Sequence, residues 1–249
     1  MDLERRDICS LDKKQLQENL AELGWPAYRY KQVEEWLWNK GVRKFAEMTN
    51  LSKEQRLTLE SKFYIPELQL DKLQRSIDGT IKFRFRLYDG YFIESVLIPV
   101  PEESRFTVCV SSQAGCSLNC SFCATGKMGL LRQLTASEIF DQYIQVNRQC
   151  QTSYEKNLSN IVFMGMGEPL LNYKQVMSSI SRLTDQEGPG LSAKRITLST
   201  AGIAKMIRKL ADDAVKVNLA LSLHAASDAK RKQMMPINES NDLQSLMEA

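Results

Sequence analysis

From about residue 105 the chain alternates short apolar runs with amphipathic helical segments, and this alternation constrains the fold more than any other feature. FTVCV, NIVFMG, RITLS and VNLALSL read as strands. Between them, Thr135-Ala-Ser-Glu138 forms a capping box ahead of a helix carrying Ile139, Tyr143 and Val146. A second helix begins near Asn172 and a third after Gly202. Strands separated by helices pair in parallel through βαβ crossovers, and such sheets bind ligands at the carboxyl ends of their strands. The segments GCSLNCSFCATG and GMGEP, the pair Ser199-Thr200 and SLHA all fall at those ends. One common site at one edge of a parallel sheet is therefore expected.

Ahead of this region the period changes twice. Residues 1–70 read as a small helical domain: Leu16, Leu20 and Leu23 recur at helical spacing before Gly24, and Val33, Trp36 and Leu37 follow on a helix ending near Gly41. Ser52-Lys-Glu-Gln55 is a capping box for a third helix with Leu59 and Phe63. Residues 71–104 form a β-hairpin and linker. Phe83, Phe85 and Leu87 alternate with Lys82, Arg84 and Arg86, and Asp89-Gly90 supplies a two-residue turn. Lys72, Arg75, Lys82, Arg84 and Arg86 meet only Asp78 within their stretch. That patch suits phosphates or is a solvated sheet face.

A chain of 249 residues accommodates one large α/β domain, or a modest domain with an appendage. The start, MDLERRD, has no apolar core and reads as no signal peptide. No apolar run approaches the roughly 20 residues that cross a bilayer, so no membrane partner is expected. Six cysteines, three of them bunched, suggest a reducing, cytoplasmic setting rather than a disulfide framework.

The bunched cysteines Cys116, Cys120 and Cys123 have C-x3-C-x2-C spacing. Structural zinc is normally closed by four ligands, and iron–sulfur clusters usually take four cysteines. Three thiolates suit a cluster with one iron left open. The alternatives are a zinc loop that borrows a distant Cys or His224, and three reduced core thiols. In Gly165-Met-Gly167-Glu168-Pro169, the glycines allow close backbone approach and Glu168 can accept a hydrogen bond from an amine. Ser199, Ser222, Leu223 and His224 can bind further polar groups of the same ligand, although His224 also reads as a satisfied core histidine.

Longer stretches carry a resemblance. PAYRYKQVEEWLWNKGV, MTNLSK, FIESVLIP, CVSSQAGCSLNCSFCATG, FMGMGEPLLN, RITLSTAG, LALSLHA and MPIN stand in the order found in the RlmN family, radical S-adenosylmethionine (SAM) RNA methyltransferases. The chain resembles that family along essentially its whole length. The resemblance implies a partial (β/α) radical-SAM barrel over residues 105–249. It implies a [4Fe-4S] cluster on Cys116, Cys120 and Cys123, and SAM at Gly167, Glu168, Ser199, Ser222, Leu223 and His224. It makes Glu94, in FIESVLIP, a general base, and Cys109, in TVCVSSQ, a second catalytic cysteine that resolves a protein–RNA adduct. Carbon 2 of adenine in 23S rRNA and tRNA is the implied methylation target, with a reductant for the cluster and a monomeric state. Carbon 2 is too unreactive for ordinary methyl transfer, which is why cofactor radical chemistry is needed. The helical domain and the basic hairpin are expected RNA contacts. Cys9 and Cys150 match nothing in the family.

The sequence also departs from the pattern. The family's barrel has six strands, and about four are legible here. The sequence ends at NDLQSLMEA within an amphipathic helix. The family's methyl-carrying cysteine and a further SAM-binding asparagine have no counterpart. The expectation is an incomplete chain that does not turn over alone, the alternative being a non-catalytic Fe–S or RNA-binding remnant.

Overall fold

The computed structural model describes residues 5–249. Three helices come first: α1 (Lys13–Glu22), α2 (Tyr28–Glu34) and α3 (Lys53–Lys62). Ser52 accepts from the Gln55 amide, as its capping box requires. A second such box, Asp12 with Gln15, opens α1 and escaped the sequence reading. Two short strands, β1 (Arg6–Asp7) and β2 (Phe63–Tyr64), pair in parallel. Phe63 is thus the first strand residue after α3 rather than part of that helix.

One seven-stranded sheet organises the rest. Its strands are β3 (Gln69–Arg75), β4 (Ile81–Arg86), β5 (Phe92–Val100), β6 (Arg105–Cys109), β9 (Asn160–Phe163), β10 (Ile196–Thr200) and β11 (Asn218–Leu221). A small ribbon, β7 (Gln113–Gly115) with β8 (Leu130–Gln133), lies apart from it. The spatial order is β11-β10-β9-β6-β5-β4-β3. The four strands β6, β9, β10 and β11 are parallel, as the helix–strand alternation predicted, and β5, β4 and β3 continue the sheet in antiparallel fashion. The hairpin therefore belongs to the main sheet and gains β3 as a third strand.

The turn between β4 and β5 corrects one expectation. Leu87 and Tyr91 still pair, and the Gly90 amide donates to the Leu87 carbonyl. The loop thus holds three residues, with Gly90 at φ +86°, the left-handed position that closes such a turn.

The register gives the sheet two different faces. Ile81, Leu97, Val108, Ile161 and Ile196 form one lateral row, and all five are fully buried. Helices cover this side, chiefly α5 (Ala136–Tyr154), whose Thr135–Glu138 capping box is present. Gln142 of α5 accepts from the Ser95 hydroxyl and the Ser111 amide, which fixes the end of β6. The neighbouring row, Gln74, Lys82, Val96, Cys109, Val162, Thr197 and Asn218, runs unbroken across all seven strands on the uncovered side.

The N-terminal helices dock on α5 and share its core. Trp38 meets Phe140 edge-on at 4.9 Å, and Asp141 of α5 joins Arg43 (2.6 Å) to the Leu68 amide (2.7 Å) just ahead of β3. Between the remaining strands lie α6 (Tyr173–Thr184) and α7 (Ala204–Asp212), and after β11 come α8 (Asp228–Met234) and α9 (Leu243–Glu248). Among the described residues no helix is long and apolar enough to cross a membrane.

Candidate active site

The β7–β8 ribbon, unforeseen from the sequence, holds the cysteine loop. At its neck Gly115 has φ +76°, and a Cβ there would come within 1.9 Å of the Gly129 carbonyl oxygen. Only glycine lets the two strands of this neck cross, and the Cys116 amide then donates to that same carbonyl (2.9 Å). Within the loop is one short helix, α4 (Ala124–Lys127). The loop is tied to α8 as well, by the Ser121 amide donating to the Met234 carbonyl (2.9 Å) and by Met235 packed on Cys120. All three cysteines are free thiols. Burial pushes the Cys116 and Cys120 thiols above their ordinary pKa, so metal binding at this loop must displace protons.

The GMGEP turn interlocks with the end of β6. The Met166 amide donates to the Ser111 hydroxyl, and the Glu168 amide to the Gln113 side-chain oxygen (2.8 Å). Gly167 sits at φ +95°, and a Cβ on it would reach the Gln113 side chain at 2.4 Å. Glu168 is buried, and desolvation raises its carboxyl pKa. Its oxygens accept from the Leu170 amide (3.0 Å) and the Ala201 amide (2.7 Å). The carboxylate therefore clamps the turn to the end of β10, where the Thr200 side chain bonds it as well.

Ser199 on β10 and Ser222 just beyond β11 bring their hydroxyls to 3.4 Å. His224 follows in the left-handed region at φ +58° and packs against Phe122 of the cysteine loop, with ring centroids 4.4 Å apart and the rings tilted by 44°. One cavity of about 270 Å³ connects these groups, and Cys116, Cys120, Cys123, Gly167, Glu168, Ser199, Ser222 and His224 all line it. Leu223 does not line that cavity; it is half-exposed beside it.

Glu94 and Cys109 lie outside the cavity but on the same open face. Cys109 is in the lateral row, and Glu94 stands two residues before its partner Val96 on β5. Glu94 is half-exposed and pairs with Lys82 at 3.0 Å. Burial pushes the Cys109 thiol up to about 11. Four residues of the basic patch, Lys72, Lys82, Arg84 and Arg86, share this face, with a correction to its charge; Arg75 pairs in register with Ile81 on the covered side and donates to Ser153 of α5. Arg84 pairs with Asp71, one residue outside the stretch read as basic, and Lys82 is taken by Glu94. Lys72 and Arg86 are in no ion pair among the described residues.

Among the described residues, no group of three or more His, Cys, Asp and Glu side chains is arranged to hold a single metal ion. An all-sulfur donor set on a loop facing a cavity suits an iron–sulfur cluster, which spreads its thiolates over several irons. Sequence reasoning missed Gln113, Phe122 and Thr125 as neighbours of this site.

Comparison with known proteins decides the family. Residues 6–65 match the model of the ribosomal RNA large subunit methyltransferase N-terminal domain, and residues 110–248 match the radical SAM superfamily. The probable dual-specificity RNA methyltransferase RlmN of Cytophaga hutchinsonii is 51% identical over 248 residues, covering 100% of this chain and 67% of that protein. The chain belongs to the RlmN family of radical-SAM methyltransferases. The dual-specificity RNA methyltransferase RlmN of Campylobacter fetus is 44% identical, over 94% of this chain and 69% of its own. The crystal structure of a radical SAM methyltransferase from Sphaerobacter thermophilus superposes with a TM-score of 0.90 at 40% identity, covering 97% of this chain and 70% of that one. The chain thus spans about two thirds of the length of its RlmN-family relatives. Membership of the family brings a [4Fe-4S] cluster and SAM as cofactors.

Proposed function

We propose that this protein methylates carbon 2 of adenine in 23S rRNA and tRNA. The observation that carries the reading is the single cavity in which three thiols, the GMGEP turn, the Ser199–Ser222 pair and His224 meet. Cys116, Cys120 and Cys123 would hold the cluster, and Gly167, Glu168, Ser199, Ser222, Leu223 and His224 would form the surroundings of SAM. Bound there, the cofactors supply the one-electron chemistry that an unactivated aromatic carbon requires.

The chain's own residues have separable tasks. The Glu168 clamp fixes the turn, and the two serine hydroxyls offer donors and acceptors to the polar groups of SAM. Glu94 would accept the proton that leaves the adenine carbon. It projects from the open face beside Lys82, within reach of a base delivered from that side. Cys109 would supply the thiol that frees the product, and its raised pKa means it must lose its proton within the complex before it attacks. RNA would approach over the open face, where Lys72 and Arg86 remain available to phosphates. Extrusion of the target base from its stack costs a few kcal/mol. A one-electron reductant, a monomeric state and a cytoplasmic setting complete the reading.

The test is genetic and chemical. Ribosomal and transfer RNA from the native host should contain 2-methyladenosine, and deletion of the gene should remove it from both. Persistence of the modified nucleoside in both RNAs of the deletion strain would sink the proposal; loss from one alone would narrow the substrate.

A further inference from the structure

Among the described residues Arg231 is the largest fully buried side chain, at 0% exposure. Its sequence setting, DAKRKQM, reads as a solvated basic helix and gives no hint of burial. An arginine so placed normally faces a carboxylate, yet none of the described residues forms an ion pair with Arg231. Asp228, the acid whose charge acts on Arg231, makes no ion pair with it and spends one oxygen on the Asn238 side chain (2.8 Å) and the Leu243 amide (2.9 Å).

The guanidinium bonds neutral oxygens instead. Nε donates to the Leu223 carbonyl (3.2 Å) and Nη1 to the Asn238 side-chain oxygen (2.6 Å). Nη2 donates to the Ala201 carbonyl and, at 3.3 Å, to that of Ser222. Ala201 and Ser222 directly follow β10 and β11 and line the cavity. One side chain therefore fastens both strand ends to α8. The far end of α8 touches the cysteine loop through Met235 on Cys120 and through the Ser121 amide.

Burying a guanidinium without a counter-ion carries a large desolvation penalty. Fastening alone does not require a charge, because a neutral amide bonds carbonyls equally well. A cluster held by three thiolates carries net negative charge, and that charge grows on reduction. We infer that Arg231 is the buried counter-charge of the cysteine site, a positioning residue that holds the ends of β10 and β11 and favours the reduced state of the cluster. This inference rests on the cluster reading given under Proposed function.

The test compares Arg231→Gln and Arg231→Lys in the full natural chain with its cluster reconstituted anaerobically. The readout is the cluster's midpoint potential, followed by EPR during a redox titration, beside hydrogen exchange at the amides of 201–203 and 222–224 in the metal-free protein. Arg231→Gln should lower the reduced-to-oxidised ratio at fixed poise about tenfold, a shift of 59 mV for one electron. Arg231→Lys keeps the charge but not the fork; it should leave the potential near wild type while exchange at the two strand ends accelerates. An unmoved potential in Arg231→Gln overturns the counter-charge. So does an equal fall in both variants. Should Arg231→Gln fail to fold, Arg231→Lys decides alone: a wild-type potential supports the inference, and a lowered one overturns it. Wild-type protein that takes up no iron and sulfide would instead overturn the cluster reading beneath it.

Discussion

The parallel and antiparallel halves of the sheet share one open face but use different parts of it. In the parallel half, β6, β9, β10 and β11 all point their carboxyl ends the same way, so four loops converge and build a cavity from their tips. In the antiparallel half, strand ends alternate and no such convergence is possible. There β3, β4 and β5 present the sides of their strands, a surface carrying Lys72, Lys82, Arg84, Arg86 and Glu94. The difference teaches where to look in a mixed sheet: enclosed chemistry at the parallel ends, extended contact surface on the antiparallel flank.

The largest expected effect lies in the parallel half. Cys120→Ala should abolish retention of iron and acid-labile sulfide after anaerobic reconstitution, with the fold intact by circular dichroism. Retention at wild-type level would place the cluster elsewhere. Next comes the junction of the helical domain with the antiparallel half. Asp141→Ala leaves the Arg43 charge buried and the Leu68 amide without its acceptor, which should cost about 3–5 kcal/mol. Urea unfolding measures it, and hydrogen exchange should show β3 and the helical domain loosened more than the cysteine loop. A loss below about 1 kcal/mol would mean that apolar packing alone seats the domain.

The parallel half was legible because each of its elements repeats one pattern, an apolar run ending in a chemically marked loop, and four such runs gave four strands. The capping boxes at Ser52 and Thr135 were legible for a local reason, since both partners lie within one helical turn. What escaped depends on contacts distant in sequence. Nothing local marks Gly115 as the crossing point of a ribbon, because its bare Cα is required only by the backbone of the distant Gly129. Asp71 and Glu94 discharge two of the five basic residues from neighbouring strands, which a count along β4 does not see. Arg231 is legible least of all: its burial follows from the ends of two strands and from Asn238. The roles expected of Glu94 and Cys109 rest on family resemblance alone, and the structure adds that both sit on the open face.

A third prediction asks whether that face is dry beneath its rim. Cys109 lies on it and Cys150 on the helix-covered side, yet burial pushes both thiols up to about 11. A thiol whose folded pKa exceeds its unfolded value of 9.0 binds its proton more tightly in the native state. Its stabilising contribution is complete below pH 9 and is lost as the pH climbs toward 11, by roughly 2–3 kcal/mol per thiol. Denaturant unfolding between pH 8 and 11 should show this decline in wild type and a shallower one in Cys109→Ser and in Cys150→Ala. If only Cys150→Ala flattens the curve, water reaches Cys109 and the two faces differ more than the structure indicates.

The smallest effect separates the halves by function. Lys72→Glu and Arg86→Glu alter side chains that no internal ion pair uses, so stability should change by less than about 0.5 kcal/mol and the cluster should assemble normally. RNA affinity, however, should fall several-fold, and the slope of log affinity against log salt should flatten by about 0.7 for each phosphate contact removed. Arg84→Glu is the internal control, because Arg84 already pairs with Asp71; its loss removes little free charge but sets two acids side by side, so stability should drop as well as affinity. Affinity and salt slope unchanged in both Lys72→Glu and Arg86→Glu would clear the antiparallel flank of any part in RNA binding, and the approach to the cavity would then run over the N-terminal helices.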